Sequence, residues 1–232
     1  MSTPSYWQGN ISNLRITKGQ ALYTATFTPS TAPLTSITNT SVLTCQSNKF
    51  VDTSPNNLAI TPSGSPKVQR YSPFNTTLTP KYYSTLFNGS TDYLSTPYST
   101  AFEIVQTDFT FESWVYRTVQ GVDQEILNCR VNTPSVSGIF VRLTSANKVM
   151  FSYAGTAYSL TTTNTITLNT WTHIAVTRSG TTLRIFINGT LDSSATFGNG
   201  SLPITSLYIG RDEGRSEEHT SELQSHSFIS YA

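Results

Sequence analysis

Residues 81–214 consist of short runs of alternating apolar and polar residues separated by turn-forming residues, and this pattern limits the fold more than any other feature. In residues 109–116, large residues occupy both alternating sets of positions, as expected near the centre of two packed sheets. Two hairpins are predicted, one in residues 139–153 and one in residues 174–187, each with a turn at its middle. The pattern therefore predicts an all-β fold built as an antiparallel β-sandwich.

The low charge of the chain excludes several classes of function. The formal net charge is +1, charged residues make up 12% of the sequence, and no run of Lys or Arg occurs. Nucleic-acid backbones attract clustered positive charge, so we expect no nucleic-acid binding.

No stretch of about 18 apolar residues is present, and residues 1–10 lack the basic and apolar parts of a secretion signal. We therefore expect no membrane insertion.

The two regions flanking this pattern differ from it in composition. Residues 28–80 are rich in Pro, Ser and Thr, and their seven prolines interrupt any continuous ladder, so they are interpreted as an ordered connector. Residues 215–232 are polar and charged without β alternation, and they look like the translation of a sequencing adapter. We therefore leave His219 and His226 out of any metal site. Cys45 and Cys129 are expected to be two thiols rather than a disulfide.

Four segments carry a resemblance to a known family. Residues 169–178, Asn-Thr-Trp-Thr-His-Ile-Ala-Val-Thr-Arg, and residues 183–189, Leu-Arg-Ile-Phe-Ile-Asn-Gly, resemble the central hairpin of laminin G-like domains. Residues 109–115 and 207–210 match the flanking strands of the same family. The resemblance covers roughly residues 82–214. It implies a jelly roll of the concanavalin A-like lectin/glucanase superfamily.

The closing strand of that family is found at the other end of the chain. Residues 9–23, Gly-Asn-Ile-Ser-Asn-Leu-Arg-Ile-Thr-Lys-Gly-Gln-Ala-Leu-Tyr, resemble it, so residues 1–27 are interpreted as the end of a preceding repeat. The parent protein would be a tandem array, similar to repeated modules of phage tail or bacterial surface proteins. A sandwich that lacks a strand has an open edge, so we expect residues 9–23 to fold back and fill it in the truncated domain of residues 81–214.

The sequence does not favour catalysis. Glycoside hydrolases of this fold use two carboxylates at alternate positions of one strand, and Glu112 has no such partner. Asp123 and Glu125 have the right spacing but lie in a segment that resembles a loop. His173 alternates with apolar residues and is interpreted as structural. The chain is therefore predicted not to be an enzyme.

Two kinds of ligand site are predicted instead. Calcium is the candidate cofactor, with Asp92 and Asp212 as ligands, because related sandwiches hold it at a loop rim through oxygen atoms. The alternative is that both are ordinary turn carboxylates. Sugar binding combines aromatic platforms with planar polar groups, and four tyrosines are the candidates if they are exposed. They are Tyr93, Tyr98, Tyr153 and Tyr158; the alternative is that they belong to the core or to strand surfaces.

The predicted function is a carbohydrate- or receptor-binding module on a virion or on an extracellular or cell surface. Its partners would be a glycan or surface receptor and the neighbouring repeats of the same chain. A structural spacer without a ligand is the alternative, and a glycoside hydrolase comes third. A surface cluster of tyrosines at a loop rim would favour recognition over the spacer.

Overall fold

The computed structural model describes residues 5–75, 81–104, 107–130, 138–153, 158–197 and 204–212, with the side chain of Tyr158 excepted. Within these ranges the chain forms fifteen strands and one short 3-10 helix. The strands are β1 (Gln8–Lys18), β2 (Thr40–Thr44), β3 (Thr61–Ser63), β4 (Lys67–Gln69), β5 (Ser84–Asn88), β6 (Tyr93–Thr96), β7 (Phe109–Arg117), β8 (Gln124–Asn128), β9 (Ile139–Leu143), β10 (Val149–Tyr153), β11 (Tyr158–Thr161), β12 (Trp171–Ser179), β13 (Thr182–Ile187), β14 (Thr190–Thr196) and β15 (Leu207–Ile209). The helix spans Thr100–Phe102.

The strands form two antiparallel sheets. The larger sheet has the order β14-β13-β12-β7-β1-β5-β4, and β2 adds to it by pairing with β1. The smaller sheet has the order β11-β10-β9-β8-β15-β6-β3. Alternate side chains of each sheet meet in one apolar core, to which the larger sheet contributes Phe111 and Ile174 and the smaller sheet Val141 and Phe151. This is the all-β sandwich that the alternation predicts.

Strand β1 lies inside the larger sheet, between β5 and β7. Residues 9–18 of the segment expected to fill an open edge are thus paired on both sides within the sheet, whereas residues 19–23 leave it. Gly9 allows the close approach of β1 to β7: its φ is +130°, and a Cβ there would lie 2.0 Å from the carbonyl oxygen of Tyr116. Ile11, Leu14 and Ile16 of β1 are buried in the core. The strand therefore holds the two halves of the larger sheet together.

Residues 28–80 contribute more to the sandwich than a connector would. β2 is buried along its whole length and pairs with β1, with Val42 in the core. β3 and β4 are edge strands of three residues each, so nearby prolines interrupt few ladder hydrogen bonds.

Cys45, just after β2, and Cys129, just after β8, are both buried. Within the described residues, no helix is long and apolar enough to cross a membrane.

An aromatic cleft on the outer face of the larger sheet

The outer face of the larger sheet carries large aromatic and polar side chains. In β7, Phe111 and Val115 point into the core, so Glu112 and Trp114 lie on the opposite face. In β12, Ile174 and Val176 are the core residues, which leaves Trp171 and His173 outside. The register pairs Trp171 with Tyr116 and His173 with Trp114. Alternation and register thus place the two indoles on the same face of neighbouring strands, at diagonal positions.

A segment that we call the strap, residues 19–35, crosses this outer face. It leaves β1 beside β7, where Leu22 N donates to Thr110 Oγ1 at 2.8 Å. It passes over β12, where Thr177 Oγ1 donates to the carbonyl oxygen of Tyr23 at 2.7 Å. Phe27 N then donates to the carbonyl oxygen of Gly189 at 2.9 Å. The strap is therefore hydrogen-bonded to the strands that it covers.

Two further contacts return the strap to β1. Leu34 N donates to Asn13 Oδ1 at 2.7 Å, and Arg15 Nη1 donates to the carbonyl oxygen of Thr35 at 2.9 Å. Asn13 can make this contact because its φ of 54° interrupts the ladder between Ser12 and Arg15. The strap therefore covers one part of the face and leaves the part around the two tryptophans open.

The open part is a cleft of about 430 Å³. Trp114 and Trp171 line its floor, and residues 29–31 of the strap form one wall. Pro73 and Phe74 form the other wall, and Asn188 lies at the turn between β13 and β14. No lining side chain carries a charge. An open cleft with aromatic walls and a planar amide has the character of a small-molecule site.

Further aromatic rings extend this surface. The Phe74 ring centroid lies 5.8 Å from that of Trp114 at 80°. The Tyr71 centroid lies 5.4 Å from Trp171 and 5.0 Å from Tyr116, and Tyr71 is 40% exposed. Burial and the hydrogen bond with Tyr116 raise the pKa of Tyr71 to about 12, so its hydroxyl is neutral near pH 7. The cleft and its rim together present five aromatic side chains on one face.

Beneath the strap lies a buried polar network centred on Glu112. Arg15 Nε and Nη2 donate to Glu112 Oε1 at 2.9 and 2.5 Å. Tyr23 donates its hydroxyl hydrogen to Glu112 Oε2 at 2.9 Å, and His173 Nε2 lies 3.2 Å from the same oxygen. The Tyr23 and Phe27 rings stack over the network with centroids 3.6 Å apart.

The electrostatics of this network keep Glu112 ionised. Burial acts to raise the pKa of Glu112, but the hydrogen bond with His173 and the charge of Arg15 together lower it below the usual value. Burial and the nearby Glu112 charge raise the pKa of Tyr23, so it remains a donor. The three partners of Glu112 are a cation, a phenol and an imidazole, and none of the four residues lines the cleft. The arrangement stabilises the fold under the strap.

The second carboxylate group considered in the sequence lies on the smaller sheet. Glu125 belongs to β8, not to a loop as the sequence suggests, because β8 begins one residue earlier. Its Oε1 accepts hydrogen bonds from Arg142 and, at 3.3 Å, from Arg130. Burial raises the pKa of Glu125 to about 7, although both arginines act to lower it. Asp123 pairs with Arg142 at 3.2 Å. Glu125 and Asp212 share Arg130 and Arg142, and the nearby Asp212 charge also acts to raise the pKa of Glu125.

Three of the four predicted tyrosines have described side chains, and these three do not form one surface. Tyr93 is half-buried on β6, where its ring lies 6.0 Å from Tyr208. Tyr98 is 50% exposed and packs against Phe102. The expected exposure of Tyr153 is wrong: it is 6% exposed, because it shares the apolar face of β10 with Phe151. The side chain of Tyr158 lies outside the described residues.

Both predicted calcium ligands already accept hydrogen bonds from the protein. Asp92 is 3% exposed, and its carboxylate accepts the backbone N–H groups of Ser65 at 2.7 Å and Asn88 at 3.2 Å. Asp212 pairs with Arg130 and accepts from Asn128 Nδ2 at 3.0 Å. Across the described part of the chain, no three His, Cys, Asp or Glu side chains are grouped as a metal site would require.

Sequence reasoning missed the residues of the cleft. Trp114 and Trp171 could have been found, because each alternates with core residues of a predicted strand and so must face outward. Tyr71 and Phe74 could not, since nothing in a Pro- and Ser-rich segment indicates which strand it will cover. The strap likewise contains no pattern that places it on the sheet.

Comparison with known proteins agrees with this architecture. Residues 88–227 match the Laminin_G_3 model of the concanavalin A-like lectin/glucanases superfamily, which is more than half of the chain. The chain therefore belongs to this family. No curated protein matches it.

The solved structures that match this chain have low sequence identity to it. One is the structure described as HCR/D-Sa-GBL1/C, with a TM-score of 0.56, 14% identity, and coverage of 74% of this chain and 43% of that chain. Another is the binding domain of botulinum neurotoxin DC in complex with SialylT, with a TM-score of 0.54, 14% identity, and coverage of 74% and 44%. The Bacillus licheniformis beta-glucanase has a TM-score of 0.34 and 10% identity, with coverage of 92% and 88%. This chain thus matches less than half the length of the first two.

Proposed function

We propose that this domain binds carbohydrate in the aromatic cleft and catalyses no reaction. The observation that carries the proposal is the cleft itself: two indoles on neighbouring strands, walled by the strap and by Phe74, with the Asn188 amide at one side. Pyranose rings have apolar faces that pack on indoles, and their hydroxyls pair with planar amides. A neurotoxin binding domain of the same fold is described in complex with SialylT, which supports this use of the architecture.

The absence of catalysis is supported by the surroundings of the carboxylates. Glu112 is covered by the strap, and the acids on the smaller sheet pair with arginines. Glycoside hydrolysis requires two carboxyls facing the substrate, whereas Glu125, Asp123 and Asp212 are held in ion pairs with Arg130 and Arg142. A reducing-sugar assay on every glycan that binds should detect no release of new chain ends, and turnover that survives purification would contradict this part of the proposal.

We also propose a biological setting for this domain. A glycan-binding sandwich of this family suits a protein on a virion or a cell surface, where the glycan or receptor and the neighbouring repeats would be its partners. The resemblance of residues 9–23 to a family closing strand supports the repeat arrangement. Calcium binding at Asp92 or Asp212 stays a prediction.

A glycan-array screen of residues 1–214, run with calcium and again with a chelator, tests binding and metal dependence together. We expect binding that survives chelation, because no carboxylate lines the cleft. Binding lost on chelation would instead favour calcium at Asp92 or Asp212. An array without any bound glycan would contradict the proposal and favour a structural spacer.

Two variants locate the site. Trp171→Ala should weaken binding by about 30-fold or more, which corresponds to the ~2 kcal/mol typical of a central aromatic contact. Tyr98→Ala is the matched control, because it removes an exposed aromatic ring that packs against Phe102, away from the cleft. Urea unfolding of both variants separates lost binding from lost folding. If Tyr98→Ala abolishes binding and Trp171→Ala does not, the cleft is not the site.

A further inference from the structure

The chemistry of the cleft also limits which carbohydrates can enter. Its eight lining residues contain no acid, no base and no histidine, and are Pro29, Ser30, Thr31, Pro73, Phe74, Trp114, Trp171 and Asn188. Both walls belong to uncharged stretches of the sequence. Residues 19–48, which include the strap, and residues 71–80, which include Phe74, contain no Asp, Glu, Lys, Arg or His. The lack of charge is therefore a property of both whole segments.

Glu112 and Arg15 form a buried ion pair beside the floor. Glu112 precedes Trp114 by two positions on the same face of β7, and its negative charge lies 2.5 Å from Arg15. Such a close pair has a much weaker field at a distance than either ion alone. The pair also lies under Tyr23, which donates to Glu112. The Glu112–Arg15 pair therefore supplies no cation to a ligand in the cleft.

The basic side chains next to the Phe74 wall are engaged elsewhere. Arg70 lies over the ring of Tyr83, 5.7 Å from its centroid, and Lys81 lies over the ring of Tyr82 at 6.0 Å. Neither lines the cleft. Recognition of a carboxylate or sulfate usually employs an arginine fork or a lysine. An anionic sugar entering here would lose hydration without gaining a counter-charge, which is costly.

The polar groups that are present suit hydroxyl groups. Asn188 Oδ1 accepts the backbone N–H of His173 at 2.9 Å, which orients the amide. Its Nδ2 group can then donate to a ligand oxygen, while the tryptophan rings pack on the sugar faces. Neutral pyranoses combine apolar C–H faces with hydroxyl oxygens, and so match both features.

We infer that the cleft selects uncharged glycans and discriminates against sialylated, sulfated and uronic acid sugars. This inference rests on the proposed function, because it specifies the ligand of the same cleft. We expect the bound glycans to be neutral, and the acidic counterpart of each to bind at least about tenfold more weakly. Affinity should change by less than about twofold between 50 and 500 mM NaCl, because no ion pair forms.

Matched pairs on the array and in calorimetry test the inference. Suitable pairs are lactose with 3′-sialyllactose, lactose with its 3′-sulfate, and cellopentaose with an oligoglucuronate of equal length. The variant Thr31→Lys places a cation on the strap wall. It should raise affinity for the acidic member of a pair and introduce salt dependence, while Thr163→Lys, on an exposed turn that does not line the cleft, should do neither.

The outcomes separate this inference from the proposed function. Preference for the acidic members, lost in Trp171→Ala, would overturn the inference and leave glycan binding in the cleft intact. Strong salt dependence in the unaltered protein would also overturn it. An array on which no glycan binds overturns both.

Discussion

Replacing Glu112 by Gln tests whether the buried network holds the strap and the sheet together. The side chains of Glu112 and Arg15 are 1% and 7% exposed, so the pair is almost fully removed from water. Gln keeps the size of the residue but leaves the Arg15 charge without an opposite charge. Breaking a buried pair in this way typically costs about 3–5 kcal/mol. Since Gln can still accept a hydrogen bond from Arg15, we expect the lower end, about 3 kcal/mol.

Urea unfolding followed by tryptophan fluorescence measures this loss. With an m-value of about 2 kcal/mol/M, the midpoint should fall by roughly 1.5 M. Asp123→Asn is the matched control, because its ion pair with Arg142 involves a carboxylate that is 40% exposed. Partly exposed pairs contribute about 0–1 kcal/mol, so its midpoint should move little. Equal losses of unfolding free energy in the two variants would refute the idea that burial makes the Glu112 pair important for stability.

The pH dependence gives the same experiment a second readout. The pKa of Glu112 is lowered in the folded protein, so the folded state holds fewer protons than the unfolded state when pH lies between the two pKa values. Its contribution is therefore complete above the unfolded pKa of about 4.5 and is lost as pH falls through the folded value. The difference between the unaltered protein and Glu112→Gln should shrink as pH falls below about 4.5. A constant difference across this range would contradict the assignment.

Two further predictions address the strap and the smaller sheet. Gly189→Ala should destabilise the protein by about 1–3 kcal/mol and make the strap sensitive to protease, because φ is +78° and a Cβ would lie 2.0 Å from the carbonyl oxygen of Phe27. Gly180→Ala, also at positive φ but with open space around the Cβ, should leave protease resistance unchanged. Burial raises the pKa of Glu125 to about 7, above its unfolded value, so its contribution to stability is present at pH 4.5 and is lost as pH rises to about 7. The free energy of unfolding of Glu125→Gln, measured at several pH values, should not show this decline. If the variant and the unaltered protein gave parallel curves of unfolding free energy against pH, the role of Glu125 in the decline would be contradicted.

The fold could be predicted because the sequence patterns that determine it involve residues close together in the chain. The alternation in β7 and β12 and the turn at Gly180 each constrain a few neighbouring residues, and sheets packed face to face follow from them. The buried position of Tyr153 also followed from the sequence, since the same alternation places it on one face with Val149 and Phe151. The prediction of Tyr153 as an exposed sugar platform is therefore wrong, because its side chain belongs to the core.

The walls of the cleft could not be predicted, unlike its floor, because they come from distant segments with no periodic pattern. The strap and the wall at Phe74 contain too few alternating apolar residues to indicate which sheet face they would cover. Their placement depends on tertiary contacts, such as the hydrogen bond from Phe27 N to Gly189 O. Local propensity carries no information about such contacts.

The strap also determines which part of the sheet face is available to a ligand. Its Tyr23 and Phe27 rings occupy the face above Glu112 and His173, so these two groups are covered by the chain itself. The same segment then continues into residues 29–31 and forms a wall of the cleft. One uncharged stretch therefore both shields the buried charges and shapes the open end. Because the wall depends on the Phe27 anchor at Gly189, the stability of the strap and the shape of the cleft are physically linked.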